Sequence, residues 1–357
     1  MVREVSPRVV LLVLAVPSLV CYLLLVDNNT DHYHPLTTEY GSQSPPTVGG
    51  THHCNLNFVV VSDPPVEDPE DLWWADWNEV HRSRRAAVHH NCLHARKGNV
   101  VSFSRLLSSR KYLYNLLLDE RHKAIYCYVP KVACTNWKRM MMILSGRTNK
   151  VDPLNISSHV PHEEGVLTRL SGARIKSSLL NYKLRTYTKF LIVRHPMERL
   201  VSAYRNKLVI NSTSAADFKK RFGVTIMKKY RKGSSAQKIP KNGHGVTFAE
   251  FVSYIVERKQ ESHQSLNEHW ASYVDLCHPC TIRYNIIGKY ETLEEDSEYI
   301  LRKIGAPPDL HFPPVVPSHT ASLVADYMAS LSPELGQKLY DLYRLDFKLF
   351  EYDYSNI

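Results

Sequence analysis

Between Lys123 and Gly146 the chain reads KAIYCYVPKVACTNWKRMMMILSG, and this stretch allows few local folds. Ala124 to Val129 is apolar and β-favouring, through Ile125, Tyr126, Tyr128 and Val129, and Pro130 ends it because proline cannot donate to a sheet ladder. Beyond a short loop, Thr135 reads as a helix N-cap. Trp137, Met140, Met141 and Leu144 recur at helical spacing, and Gly146 suits the stop. The unit is therefore strand, loop, helix. Such a turn gathers backbone N–H groups at the positive end of a helix and favours an anion. Lys131 and Thr135 beside it suit a phosphate or sulfate. An ordinary βα turn with a solvated lysine has the same local pattern. A Walker loop is excluded, because no G-x-x-x-x-G-K-[ST] run occurs and Lys131 opens the loop instead of closing it.

The same logic repeats at TKFLIVRHPMERLVSAYRNKL, from Thr188 to Leu208. Lys189 to Val193 is a strand, Arg194 stands at its end, Pro196 suits the first helical turn, and Glu198 complements the helix dipole. Leu200, Val201 and Tyr204 make the face to be buried. Arg194 and Ser202 can both reach a phosphate at the strand's carboxyl edge, where open α/β sheets bind ligands. The competing reading makes Arg194 and Arg199 surface charges paired with Glu198. A third such unit follows, with a strand from Tyr284 to Ile287 and a helix ending at Gly305. Alternation of this kind predicts an α/β domain with a central parallel sheet and flanking helices. SFSRLLSSRKYLYNLLLD has helical spacing at Leu106, Leu113, Leu116 and Leu117 and reads as the helix that opens the domain. Thr247 and Glu250 form a capping box before a further helix. Ser332 caps and Pro333 begins the C-terminal one, whose Leu335, Leu339, Leu342 and Leu345 face inward.

The chain of 357 residues carries a net charge of +10, which points to polyanionic partners: nucleic acid, anionic lipid or acidic polysaccharide. Val9 to Val26 is uncharged and about long enough to span a bilayer. Arg3 and Arg8 precede it, so the positive-inside rule places residues 1–8 in the cytosol, an anchor at 9–26, and the remainder in the lumen. A cleaved signal peptide is the competing reading. Sequons at Asn28, Asn155 and Asn211 agree with a luminal chain. Six cysteines beyond the anchor (Cys54, Cys92, Cys127, Cys134, Cys277 and Cys280) can pair in an oxidising lumen. The spacing of Cys277 and Cys280 invites a zinc or redox reading, but no second clear ligand pair accompanies it, and a structural disulfide is favoured. Residues 27–100 are rich in Pro, Gly, Ser and acid and read as a stem, with the domain over 101–357. Trp73, Trp74 and Trp77 are unusual for a free linker and suit docking on the domain or a short amphipathic helix. The basic run from Asn211 to His244 is a candidate surface for acidic glycan, or else a solvated loop.

PKVACTNWKR resembles the 5′-phosphosulfate-binding loop of sulfotransferases, as written in the HNK-1-type carbohydrate sulfotransferase family. The fuller YCYVPKVACTNWKR is most similar to the chondroitin 4-O-sulfotransferases. VRHPMERLVSAYRNK resembles that family's 3′-phosphate motif, although His195 and Met197 stand where an acidic residue and an aromatic are expected. NEHW, CHPC and GKYETLEED extend the likeness toward the C-terminus. The resemblance implies the P-loop-like fold of sulfotransferases that use 3′-phosphoadenylyl sulfate (PAPS), and transfer of a sulfuryl group from PAPS to a glycan hydroxyl. Chondroitin is the nearest acceptor, at the 4-hydroxyl of N-acetylgalactosamine. Dermatan and terminal GalNAc or glucuronate of glycoproteins stay open, and a non-catalytic glycan-binding protein is the alternative of another class. It implies a Golgi membrane protein, no nucleic-acid partner and no metal. It places the donor on Pro130, Lys131, Val132, Ala133, Cys134, Thr135 and Asn136, and on Arg194, His195, Pro196, Met197, Glu198, Arg199, Leu200, Val201 and Ser202. Lys131 is expected to stabilise the leaving 5′-phosphate and sulfuryl oxygens. The acceptor hydroxyl needs a general base. His159 is the first candidate, His269 the rival, and Glu268 a carboxylate alternative.

Overall fold

The computed structural model describes residues 69–95, 100–172, 175–262, 266–315 and 320–354. The apolar run at 9–26, Asn28 and Cys54 lie outside them. Among the described residues no helix is long and apolar enough to cross a membrane.

Four strands form one sheet in chain order: β1 (Leu116–Asp119), β2 (Ala124–Cys127), β3 (Thr188–Val193) and β4 (Ile286–Lys289). β2, β3 and β4 are parallel, with Ala124 opposite Thr188 and Phe190 opposite Ile286. β1 is antiparallel to β2, so the sheet is mixed where an all-parallel one is expected. The cause is local. Asp119 accepts from the Arg121 N–H at 3.0 Å and pairs with His122 at 2.6 Å, while Lys123 takes φ 49°. A turn this tight can only return the chain beside itself in the opposite direction.

The opening segment is likewise not one helix. It divides into α2 (Phe103–Ser108), a 3₁₀ turn (Arg110–Leu113) and β1. Ser109 is extended at φ −124° and breaks the helix, and Leu116 to Leu118 are buried as a continuous run fits a covered strand. Pattern alone cannot separate such a run from buried helix.

α3 (Cys134–Leu144) follows β2; α4 (Ser177–Thr186) precedes β3; α5 (Pro196–Tyr204) follows it. Then come α6 (Thr213–Phe218), α7 (Val224–Tyr230), α8 (Phe248–Ser262) and α9 (Tyr273–Cys277), and after β4 α10 (Leu293–Lys303), α11 (Thr320–Ala329) and α12 (Pro333–Leu349). The capping box forms as expected. The Thr247 N–H donates to Glu250 at 2.8 Å, and the Glu250 N–H donates to Thr247 at 3.2 Å. Ser332 caps α12 by accepting from the Leu335 N–H.

Within the stretch expected to be stem, α1 (Pro69–Leu93) is a 25-residue helix, and it belongs to a compact unit that spans Pro65–Ile357. Trp74 stacks on Tyr299 of α10 at 4.9 Å. Arg84 reaches the fully buried Asp296 at 2.7 Å, and Asp296 also accepts from the Lys289 N–H and the Thr292 hydroxyl. A buried carboxylate is tolerable only when so satisfied, and here it welds α1 to the end of β4. Two disulfides complete the frame, Cys92–Cys280 and Cys127–Cys277. Cys277 and Cys280 are therefore both bridged, though not to each other. Cys134 is a buried free thiol.

Candidate active site

Because β2, β3 and β4 are parallel, their carboxyl ends share one edge of the sheet, and the segments leaving them converge there. The loop after β2 has no glycine, yet Lys131 (φ 77°) and Ala133 (φ 61°) are left-handed. That conformation costs a non-glycine residue about 1–2 kcal/mol, and strain of this kind persists where the surroundings dictate the shape. Ala133 occupies the cap position, so α3 begins at Cys134, and Thr135 lies in its first turn instead of capping it.

Lys131 is half-buried. Burial, opposed by the Cys134 sulfur and reinforced by the charges of Lys207 and Arg194, pulls its ammonium down to about 8. Asn136 accepts from Arg139 at 2.9 Å. Val132, Met197, Leu200 and Val201 are at most 1% exposed, so their side chains belong to the core and only their backbone is left for an anion.

Arg194 is 2% exposed, with its N–H and C=O both bonded to the Tyr273 hydroxyl and its guanidinium 4.3 Å from the centre of the Tyr290 ring. It does pair with Glu198, at 2.9 Å, but as a buried group and not as a surface charge. Ser202 is half-buried on α5. His195 turns to the end of the chain. Its Nε2 donates to the Asp353 carbonyl at 3.0 Å, and its ring meets Phe347 and Tyr352 edge-on. Arg199 has its fork on backbone: Nε donates to the Pro130 carbonyl (3.0 Å), Nη1 to Ala271 (2.6 Å) and Nη2 to Glu268 (2.8 Å). It holds the loop against the NEHW segment and does not itself face an anion.

The two histidines raised by the sequence part company. His159 is exposed; its ring meets Ser157 at 2.9 Å and Glu163 at 3.8 Å, and none of its bonds among the described residues reaches the loop. His269 sits within the field of Lys207, Lys131 and Arg199; burial first, then those charges, push it down to about 2. Its Nδ1 lies 2.9 Å from Asn267 Oδ1. An amide oxygen only accepts, so Nδ1 carries the proton and Nε2 keeps a lone pair. Glu268 accepts from the Tyr128 hydroxyl at 2.8 Å, and Arg169 donates to the same hydroxyl at 2.8 Å.

Sequence reasoning missed three cations and a histidine here: Lys138, Arg169, Lys207 and His162. Lys207 lies on a π-helical turn, Arg205–Val209, continuing α5; such turns concentrate at functional sites. His162 bonds Thr135 at 3.1 Å and Lys138 at 3.2 Å. Nothing local marks these residues: the 147–170 segment returns past α3 to set His162 on Thr135 and Lys138, and Lys207 arrives from the turn that continues α5. Among the described residues no group of three or more His, Cys, Asp or Glu is arranged to hold a metal ion.

This edge thus gathers Lys131, Arg194 and Lys207 within one positive field, with His269 beside them. A family model described as "Sulfotransferase family" matches residues 114–353, which span all four strands and the whole site. The chain belongs to the sulfotransferase family. It is similar to carbohydrate sulfotransferase 11 of Rattus norvegicus, 42% identical over 279 residues, covering 78% of this chain and 77% of that one. It is also similar to carbohydrate sulfotransferase 12 of Mus musculus, at 40% over 67% and 60% of the two chains. Carbohydrate sulfotransferase 9 of Homo sapiens is 36% identical over 84% and 66%. No solved structure gives a significant match. Membership implies a sulfate donor, and Lys131, Lys207 and Arg194 lie within one positive field at this edge.

Proposed function

We propose that this sulfotransferase moves a sulfuryl group from PAPS to a glycan hydroxyl, and that the acceptor is chondroitin at position 4 of N-acetylgalactosamine. The observation that carries the donor half is the left-handed Lys131–Ala133 loop, within the same cationic field as Arg194. The names of the relatives support a carbohydrate acceptor, and the wording of YCYVPKVACTNWKR supports chondroitin. Lys131 meets the charge that builds on the 5′-phosphate oxygen as the sulfur–oxygen bond breaks. Arg194 and Ser202 take the 3′-phosphate. Arg194 already pairs with Glu198, so the phosphate must share or displace that partner.

The proton of the acceptor hydroxyl goes to His269 Nε2, with Asn267 fixing the tautomer in the manner of a triad's orienting residue. Bound donor phosphates would offset the surrounding cations and raise the basicity of the ring. The assignment thus moves from His159 to His269. His159→Ala, His269→Ala and Glu268→Gln in parallel test it, with donor affinity measured apart from turnover. The base variant keeps affinity and loses roughly two to four powers of ten in kcat. If His269→Ala keeps its turnover, the proton goes elsewhere.

The acceptor is tested with labelled PAPS over desulfated chondroitin, dermatan and glycoprotein glycans, followed by disaccharide analysis. Sulfate at a position other than 4 would overturn the chondroitin assignment. Failure to use PAPS on any glycan would return the protein to the non-catalytic, glycan-binding class.

We further propose a type II Golgi protein anchored by residues 9–26 with its domain in the lumen. The two disulfides support an oxidising compartment. Asn155 and Asn211 are exposed, as glycosylation requires, and Asn211 uses Oδ1 to accept from Lys219, leaving Nδ2 for a glycan. In intact vesicles protease should remove an N-terminal tag and spare a C-terminal one; the reverse result would invert the topology.

A further inference from the structure

His162 stands between the donor loop and a buried cation. Its Nδ1 is 3.2 Å from Lys138 Nζ and its Nε2 is 3.1 Å from Thr135 Oγ1. The ammonium of Lys138 has three donors and no acceptor. Lys138 is 3% exposed, with Nζ 3.8 Å from the centre of the Tyr128 ring and within the field of Glu268, and both neighbours favour its charged form. Burial pulls its pKa down and the Arg169 charge adds to that, while the Cys134 sulfur, the Glu268 carboxylate and the ring face work for the charged form, and below the lowered value the ammonium stands. With Lys138 charged, Nδ1 of His162 must accept. The neutral ring then carries its proton on Nε2, which must donate to Thr135.

A hydroxyl has one proton and two lone pairs. Once His162 fills a lone pair of Thr135, the hydroxyl proton has to go to another acceptor. Thr135 lies in the first turn of α3, immediately after the left-handed loop, where an anion gathers the N–H groups. Without His162 the threonine could spend its proton on a carbonyl of the preceding turn, as hydroxyls in helices do.

We propose that His162 is a positioning residue that fixes the polarity of the Lys138–His162–Thr135 chain, so that the Thr135 hydroxyl donates to the 5′-phosphate of the sulfate donor. This rests on the reading of that loop as the donor site. Lys138 is the source of the polarity, His162 transmits it, and Thr135 delivers it. His162 touches no reacting atom.

The probe is adenosine 3′,5′-bisphosphate, which carries both phosphates and needs no glycan acceptor. His162→Leu should weaken its binding by roughly ten-fold, the scale of one hydrogen bond to a charged group. His162→Gln should bind within about two-fold of wild type, because its amide can accept from Lys138 and donate to Thr135. In a Thr135→Val background His162→Leu should add nothing, since the two residues then act through one bond. Unchanged binding in His162→Leu would overturn the proposal. So would equal loss in the Gln and Leu variants, or an undiminished effect without Thr135. Nitrogen NMR of the folded wild-type ring gives an independent reading that no folding defect can blur. A proton on Nε2 agrees, and a proton on Nδ1 reverses the chain and ends the argument. Absence of any bisphosphate binding by wild type would sink the donor-site reading itself, whereas wild-type binding with an indifferent His162→Leu sinks this role alone.

Discussion

Arg199 donates through Nε to the carbonyl of Pro130, 69 residues earlier in the chain, at 3.0 Å. With Nη1 on Ala271 and Nη2 on Glu268, one guanidinium joins the loop after β2 to the segment that carries His269. A planar fork with five donors can make three such bonds at once; an ammonium cannot reproduce the directions. Arg199→Met should therefore leave two buried carbonyls and one half-buried one without this partner and cost about 3–5 kcal/mol of stability. Thermal unfolding would read this directly. Donor affinity should fall along with stability, because the loop loses its support. Arg199→Lys should recover only part of either. Full stability in Arg199→Met would show that the loop is held by other means.

Lys131→Ala should reduce kcat by roughly two to three powers of ten while changing the affinity for adenosine 3′,5′-bisphosphate much less, because the charge it answers is greatest in the transition state. Single-turnover rates beside equilibrium binding separate the two. An equal loss in both would make Lys131 a ground-state anchor.

The same lysine sets a pH limit. Its folded value, about 8, lies below the unfolded one, so the ammonium is lost as pH rises through 8. kcat/KM for the donor should accordingly decline above about pH 8, since that ratio reports the free enzyme. Stability should respond in the opposite sense. Between pH 8 and the ordinary lysine range the unfolded chain holds a proton that the folded one does not, so this group's contribution to stability rises with pH. A kcat/KM that stays flat to pH 10 would contradict the cationic role.

Peptide mapping without reduction should recover Cys92 with Cys280 and Cys127 with Cys277, and find Cys134 alkylated only after unfolding. The bridges span sequence separations of 188 and 150 residues, for which loop entropy alone predicts about 5 kcal/mol each. Cys127→Ser/Cys277→Ser should melt well below wild type. A bridge between Cys277 and Cys280 would refute the arrangement.

The basic segment before α8 is less uniformly available than its composition implies. Lys219 is buried and bonds Asn211; Lys229 pairs with Glu257 at 2.8 Å; Arg231 pairs with Glu250, itself half of the capping box. Lys220 and Lys228 are exposed. Charge reversal at those two should raise the KM of a polyanionic acceptor and flatten its salt dependence, with donor affinity unchanged. Acceptor kinetics that ignore the reversal would make the segment structural.

Local pattern was enough for the parts of this protein that depend on neighbours in sequence. The order of the β2–loop–α3 and β3–α5 units, the Thr247–Glu250 box and the Ser332 cap read correctly, because strand propensity, helical period and capping act within a few residues; the cap of α3 did not, since the left-handed Ala133 and not Thr135 occupies it. The motif around Lys131 and the one around Arg194 carried the family for the same reason. Where the chain's own signals were ambiguous, tertiary structure decided. Leu116 to Leu118 became a strand because a sheet edge was there to pair with, and the Trp73–Trp77 segment became part of a long helix because Tyr299 and Asp296 were there to receive it. The roles of single residues were decided in the same way. Arg199 binds carbonyls, His195 binds the end of the chain, and His162 reaches Thr135, each through partners that are distant in sequence. A sequence states which donors and acceptors a residue owns; only the fold states which of them face one another.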